Sequence, residues 1–197
     1  MSKGVVLDKL VDAGNGYLTT AQVLESGISK PTLAAYVKEQ NLRRVGHGIY
    51  LADDAWEDGL YQLQLLNKKA IFSHETALFL HGLMEREPTR ICVTVPAGYN
   101  ASHLRKRGIK VTQEKAETYG VGAYSVRTDF GNPVCAYDMD RTLCDIIKNK
   151  TSMDVQVFQY AMKQYMVSKK KNLNHLGEYA KNLGIESQLR IYTEVML

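Results

Sequence analysis

No stretch of this sequence stays apolar for the roughly 18 residues that a membrane-crossing helix needs, so the chain does not read as one that spans a bilayer through helices. Residues 1–10 lack a basic start, a long apolar run and a small-residue cleavage site. No targeting signal is expected there, and the expectation is a soluble, cytoplasmic protein. Cysteine is scarce. Cys92, Cys135 and Cys144 are odd in number, none lies at C-x-x-C spacing, and each sits in an apolar stretch. That argues against a disulfide framework and predicts reduced, buried thiols in a reducing compartment. His74 and His81 are seven apart with no Cys/His cluster around them, so no structural zinc site is expected.

Catalytic signatures are missing as well. The sequence contains no G-x-x-x-x-G-K-[ST] phosphate loop, no G-x-G-x-x-G, no G-x-S-x-G elbow and no H-E-x-x-H. No acidic residue has a lysine two positions after it, which a PD-(D/E)-x-K nuclease requires. Asp138-Met139-Asp140 is a lone D-x-D without the preceding Gly-Ser of nucleotidyltransferases; a helix start, where carboxylates are favoured, explains it better than a metal pair. Met162 and Met166 with Phe158 and Tyr165 form a helical stripe that reads as core. The chain is therefore expected to be no enzyme, with no cofactor and no metal.

Charge of one sign is not in great excess either: 25 basic against 21 acidic residues leave +4, so the placement of the charge matters more than its sum. With 45% hydrophobic residues the chain can bury a real core, in one large domain or two small ones.

What is present begins with a short amphipathic helix carrying Val5, Val6, Leu7, Leu10 and Val11, ended by Gly14-Asn15-Gly16. Thr19 with Gln22 three residues on is a capping-box signature that predicts a second short helix, stopped by Gly27. Ser29-Lys30-Pro31-Thr32 predicts the start of a third, running to about Gln40. The period then changes from helical to alternating in residues 42–45 and 49–52, around the turn Gly46-His47-Gly48, and predicts a hairpin. Helix, helix, turn, helix, hairpin is the order of a winged helix-turn-helix, with the third helix as recognition helix. The fold expected is α+β: a winged helix-turn-helix over 1–53, then a larger α/β domain over 54–197 with a small sheet and C-terminal helices.

At about 100° per residue, Leu33, Ala34 and Val37 would face the core, and Thr32, Ala35, Tyr36 and Glu39 the solvent. Ser29, Lys30 and Thr32 then lie at the helix start, the end that reaches base edges and phosphates. Tyr36 could reach a phosphate or a sugar, Arg43 and Arg44 open the wing, and His47 marks its tip. Residues 29–50 carry Lys30, Lys38, Arg43 and Arg44 against Glu39 alone, the local excess expected of a DNA-facing surface. With Thr20 at the second helix, these residues make the candidate interface with double-stranded DNA. The larger domain carries two basic groups, Arg105, Lys106, Arg107 and Lys110, and then Lys148, Lys150 and Lys163 with Lys169-Lys170-Lys171; they suit an acidic partner or RNA.

Three segments bear a family likeness. Gly16-Tyr17-Leu18-Thr19-Thr20-Ala21-Gln22 with a basic wing ending Gly48-Ile49-Tyr50, then Ser73-His74-Glu75-Thr76-Ala77-Leu78-Phe79-Leu80-His81-Gly82-Leu83, then Asp138-Met139-Asp140-Arg141-Thr142-Leu143-Cys144-Asp145, together resemble the AbiEi-type antitoxins of abortive-infection systems. The resemblance implies a type IV toxin–antitoxin pair serving phage resistance. It implies an N-terminal module that represses its own promoter at inverted repeats, and a C-terminal domain that neutralises a nucleotidyltransferase toxin without a stable complex. The alternative from the residues alone is a plain winged-helix transcription regulator whose second domain binds a ligand or a partner.

Overall fold

The computed structural model describes residues 2–196. The chain is α+β and divides into two compact units: Met1–Lys68 together with Arg127–Val134, and Lys69–Val126 together with Cys135–Leu197. The first unit therefore extends past the expected boundary at 53.

Local signals place the elements of the first unit. Helix α1 (Lys3–Ala13) is followed by strand β1 (Tyr17–Thr19), helices α2 (Thr20–Glu25) and α3 (Lys30–Glu39), strands β2 (Arg43–Gly46) and β3 (Ile49–Leu51), and helix α4 (Gly59–Leu66). Thr19 and Gln22 form the reciprocal capping box at α2, and Ser29 caps α3 with Pro31 in its first turn. β1 was not anticipated. Three residues carry too little pattern to announce a strand, and this one exists because it pairs antiparallel with β3, Tyr17 opposite Leu51, in a sheet of order β1-β3-β2. Leu7, Leu18, Val23, Ile28, Leu33, Tyr36 and Leu42 form the core beneath.

The face of α3 that packs inward is Leu33, Tyr36 and Val37, not Leu33, Ala34 and Val37; Ala34 is exposed. The spacing i, i+3, i+4 is the true helical stripe, and a tyrosine meets it because its hydroxyl finds a partner, Asp8, at 2.6 Å. Burial first, then that carboxylate acceptor, raise the Tyr36 phenol above its ordinary range.

α4 begins at Gly59 because Asp58 is its cap: the carboxylate accepts from the Tyr61 N–H at 3.0 Å. The same buried carboxylate accepts from Thr128 Oγ1 at 2.6 Å and Asn132 Nδ2 at 2.9 Å, while the Asp58 N–H donates to the Tyr17 hydroxyl at 2.7 Å. These bonds make 127–134 part of the first unit and carry that unit beyond residue 53.

The second unit holds β4 (Ile71–Phe72), α5 (His74–Leu80), β5 (Cys92–Pro96), α6 (Ser102–Lys106), β6 (Lys110–Glu114), α7 (Ala116–Tyr119), the greater part of β7 (Ala123–Arg127) and of β8 (Pro133–Tyr137), whose Arg127 and Pro133–Val134 fall in the first unit, and helices α8 (Met139–Lys148), α9 (Val155–Val167), α10 (Leu173–Leu183) and α11 (Glu186–Met196). The strands form a mixed sheet of order β6-β5-β4-β8-β7, with β4 antiparallel to β5 and parallel to β8, and β5 parallel to β6. α8 is buried from Met139 to Ile147 and is the centre of the helical layer, against Phe158, Met162, Tyr165 and Leu176. Among the described residues no helix is long and apolar enough to cross a membrane.

Candidate nucleic-acid interface

The β2–β3 turn is fastened to the start of α2. The Thr20 N–H donates to the Gly48 carbonyl at 2.8 Å, and Gly48 adopts φ +67°, with its missing Cβ placed 3.0 Å from Thr20 Oγ1. Only glycine meets both the conformation and the space without strain. With the turn held there, a cleft of about 530 Å³ opens between α2, α3 and the hairpin. Of the residues expected to contact DNA, Thr20, Lys30, Arg44 and His47 all line it, with Glu25 as its one acid. Tyr50 and Lys68 line it as well and were not anticipated. Lys68 ends the first of the two segments that make up the first unit, where sequence spacing from the hairpin gives no clue.

Arg44 is laid along the hairpin: its Nε donates to the Gly46 carbonyl at 3.2 Å, and Nη2 comes within 3.5 Å of His47 Nδ1. Ser29 Oγ accepts from the Thr32 N–H at 3.4 Å and is 2.9 Å from Thr32 Oγ1, so the two hydroxyls of the α3 start organise each other. The first turn of α3 holds no acid, and its dipole adds positive potential at that end.

Other expected contacts fall elsewhere. Tyr36 is in the core and cannot reach a phosphate. Arg43 precedes Arg44 on one strand, so the two side chains leave on opposite faces; Arg43 donates to Glu57 at 2.9 Å and does not line the cleft. Lys38 is exposed on α3 and also lies outside the cleft lining.

The basic residues of the second unit do not form one free surface. Arg105, Lys106 and Arg107 are exposed at α6, and Lys163 on α9. Lys110 pairs with Glu75 at 3.4 Å and Lys148 with Glu114 at 3.2 Å, while the Lys150 ammonium sits over the rings of Phe158 and Tyr192, 5.5 and 5.0 Å from their centroids. Sequence spacing shows charge but not its partners.

The acidic, histidine and cysteine side chains weighed above for chemistry are tied into packing, as is Ser73. Asp138 caps α8, accepting from the Arg141 N–H at 2.7 Å, and also accepts from the Tyr179 hydroxyl at 2.9 Å. Asp140 accepts from the Tyr165 hydroxyl at 2.6 Å and the Asn172 N–H at 3.0 Å. Ser73 makes no cap bond to α5; it accepts from Thr94 Oγ1 at 2.9 Å and lies 3.0 Å from His74 Nδ1. His81 Nε2 donates to the Tyr137 carbonyl at 2.7 Å. All three cysteines are free thiols, Cys135 only half-buried, and burial followed by the nearby Glu75 carboxylate pushes Cys92 up to about 12. Among the described residues no group of three His, Cys, Asp or Glu side chains could hold a metal ion.

Sequence reading missed a fully buried charge. Arg141, 1% exposed, donates to Asp145 at 3.0 Å, reaches the Thr118 and Val121 carbonyls at 2.7 and 2.9 Å, and lies over the Tyr137 ring at 4.3 Å. Its i, i+4 acidic partner was visible; that both lie inside the core was not.

No family model matches the chain, and no curated protein matches it. Among solved structures, the fold is similar to the crystal structure of the RV2827C protein from Mycobacterium tuberculosis, with a TM-score of 0.57 at 13% identity over 89% of this chain and 70% of that one.

Proposed function

We propose that this chain is a DNA-binding autoregulator of the AbiEi antitoxin type. Its first unit acts as a winged helix-turn-helix on double-stranded DNA, at inverted repeats in its own promoter. Its second unit neutralises a cognate nucleotidyltransferase toxin without catalysis and without a stable complex, in the cytoplasm. The observation that carries the DNA reading is the cleft in which Thr20, Lys30, Arg44, His47 and Lys68 converge around the start of α3, against Glu25 alone. Cations there neutralise phosphates and release counterions. A hydroxyl and an imidazole offer donors to base edges. The antitoxin reading rests on the segments that resemble that family.

The experiment titrates the full chain against a fragment of its own promoter and against random DNA of equal length, and in parallel co-expresses it with the product of a neighbouring nucleotidyltransferase gene. Preferential promoter binding and rescue of growth are expected. Equal affinity for both DNAs removes the autoregulator, and growth arrest despite full expression removes the antitoxin.

A further inference from the structure

The first unit carries a second concavity that shares no lining residue with the basic cleft and has the opposite character. It is an open depression of about 790 Å³. Two aromatic side chains border it, Trp56 at 79% exposure and Phe130 at 49%. Trp56 is the sole tryptophan of the chain, and neither ring stacks on another ring or carries a cation among the described residues. Asp12, Asp54 and Asp129 supply the charge, and no lysine or arginine lines the groove. None of these carboxylates enters an ion pair among the described residues.

The groove has a fixed floor. Asn15 Nδ2 donates to Asn132 Oδ1 at 3.0 Å, and Asn132 is in turn bound to the buried Asp58 carboxylate. Gly16 packs so closely that a Cβ would lie 2.2 Å from that of Ala55. The aromatic residues are thus presented on a built surface.

Open tryptophan and phenylalanine rings attract cations through their negative faces, and unpaired carboxylates attract the same cations. A nucleic acid is repelled by three such charges. Tryptophan in a preformed depression is also the side chain that most often dominates a protein–protein contact. We infer that this groove docks a lysine- or arginine-bearing segment of a partner polypeptide, through cation–π contact with Trp56 and Phe130 and ion pairs with Asp12, Asp54 and Asp129. The inference does not rest on the DNA reading, since the two surfaces have different residues.

Trp56 makes the test direct, because its emission reports this groove alone. The probe is a heptapeptide of alternating glycine and arginine, titrated into the full chain, with a glycine–glutamate heptapeptide as control. A saturable change in emission with the arginine peptide only is expected. The Asp54→Asn/Asp129→Asn double variant, at surface positions, should keep the wild-type melting temperature and bind about tenfold more weakly, the loss of two surface ion pairs. No saturable change, equal response to the glutamate peptide, or unchanged affinity in the double variant overturns the inference. Sedimentation checks the remaining occupant: self-association abolished by Trp56→Ala would assign the groove to a second copy of this chain and also overturn it.

Discussion

Replacing Arg44 by alanine should change how DNA binding responds to salt, whereas the same change at its neighbour Arg43 should not. Arg44 lines the cleft beside His47, while Arg43 leaves β2 on the other face and pairs with Glu57. Each phosphate neutralised contributes about 0.9 to the slope of log affinity against log salt. Over a fourfold change, from about 50 to 200 mM, one lost contact alters the ratio of wild-type to variant affinity by roughly 3.5-fold. Arg44→Ala is therefore expected to bind worst relative to wild type at low salt, with the gap closing by that factor at high salt, alike on promoter and random DNA. Lys68→Ala should do the same. Arg43→Ala removes an ion pair whose members are both half-exposed, a pair worth about 0–1 kcal/mol of stability at most, and should leave the slope intact. Fluorescence anisotropy of a labelled promoter fragment at four or five salt concentrations reads all three. If Arg43→Ala flattens the slope as Arg44→Ala does, or if Arg44→Ala leaves it untouched, the cleft is not the DNA surface.

Asp58→Ala removes the cap of α4 and strands the buried Thr128 and Asn132 donors, so it should cost about 3–5 kcal/mol in urea unfolding, with Asp58→Asn recovering part; a loss under about 1 kcal/mol would mean these bonds do not hold 127–134 in the first unit. Burial holds the His74 and His81 imidazoles below their ordinary value of 6.5. The unfolded chain then takes up protons near pH 6.5 that the native state refuses, so stability is full above that pH and falls as pH drops below it; a urea midpoint that stays flat from pH 7.5 to 5.5 would contradict the burial of both rings.

The ends of helices were legible because their determinants are local. Thr19 with Gln22, Ser29 before Pro31 and Asp138 before Arg141 each act within four residues of the sequence position that reveals them. Ser73 fits the same pattern and does not cap, since its hydroxyl is taken by Thr94 across the sheet, 21 residues away. The face of α3 was misread because alanine and tyrosine are both ambivalent: Ala34 is small enough for either side, and Tyr36 goes inward with its hydroxyl donating a hydrogen bond to Asp8, 28 residues earlier. Of the candidate interface, the residues and their charge could be read, but not the division of Arg43 from Arg44, although strand alternation allows it once the hairpin is granted. Lys68 was missed because α4 joins the hairpin through long-range contacts with Tyr17: the Asp58 N–H donates to the Tyr17 hydroxyl 41 residues earlier, and the Tyr61 ring packs edge-on against Tyr17 at 5.1 Å.

The net charge of +4 therefore describes little, because the first unit separates its charges. Lys30, Arg44 and Lys68 gather in one cleft, and Asp12, Asp54 and Asp129 border another groove. On the proposed reading this separation has a consequence for how the protein meets DNA. A protein with evenly mixed surface charge would be held by phosphates through many faces, each competing with the productive one. Carboxylates grouped away from the cleft disfavour those alternatives by like-charge repulsion, which raises specificity for one orientation without adding a contact. Removing the acids would then tighten non-specific DNA binding even though none of them touches DNA.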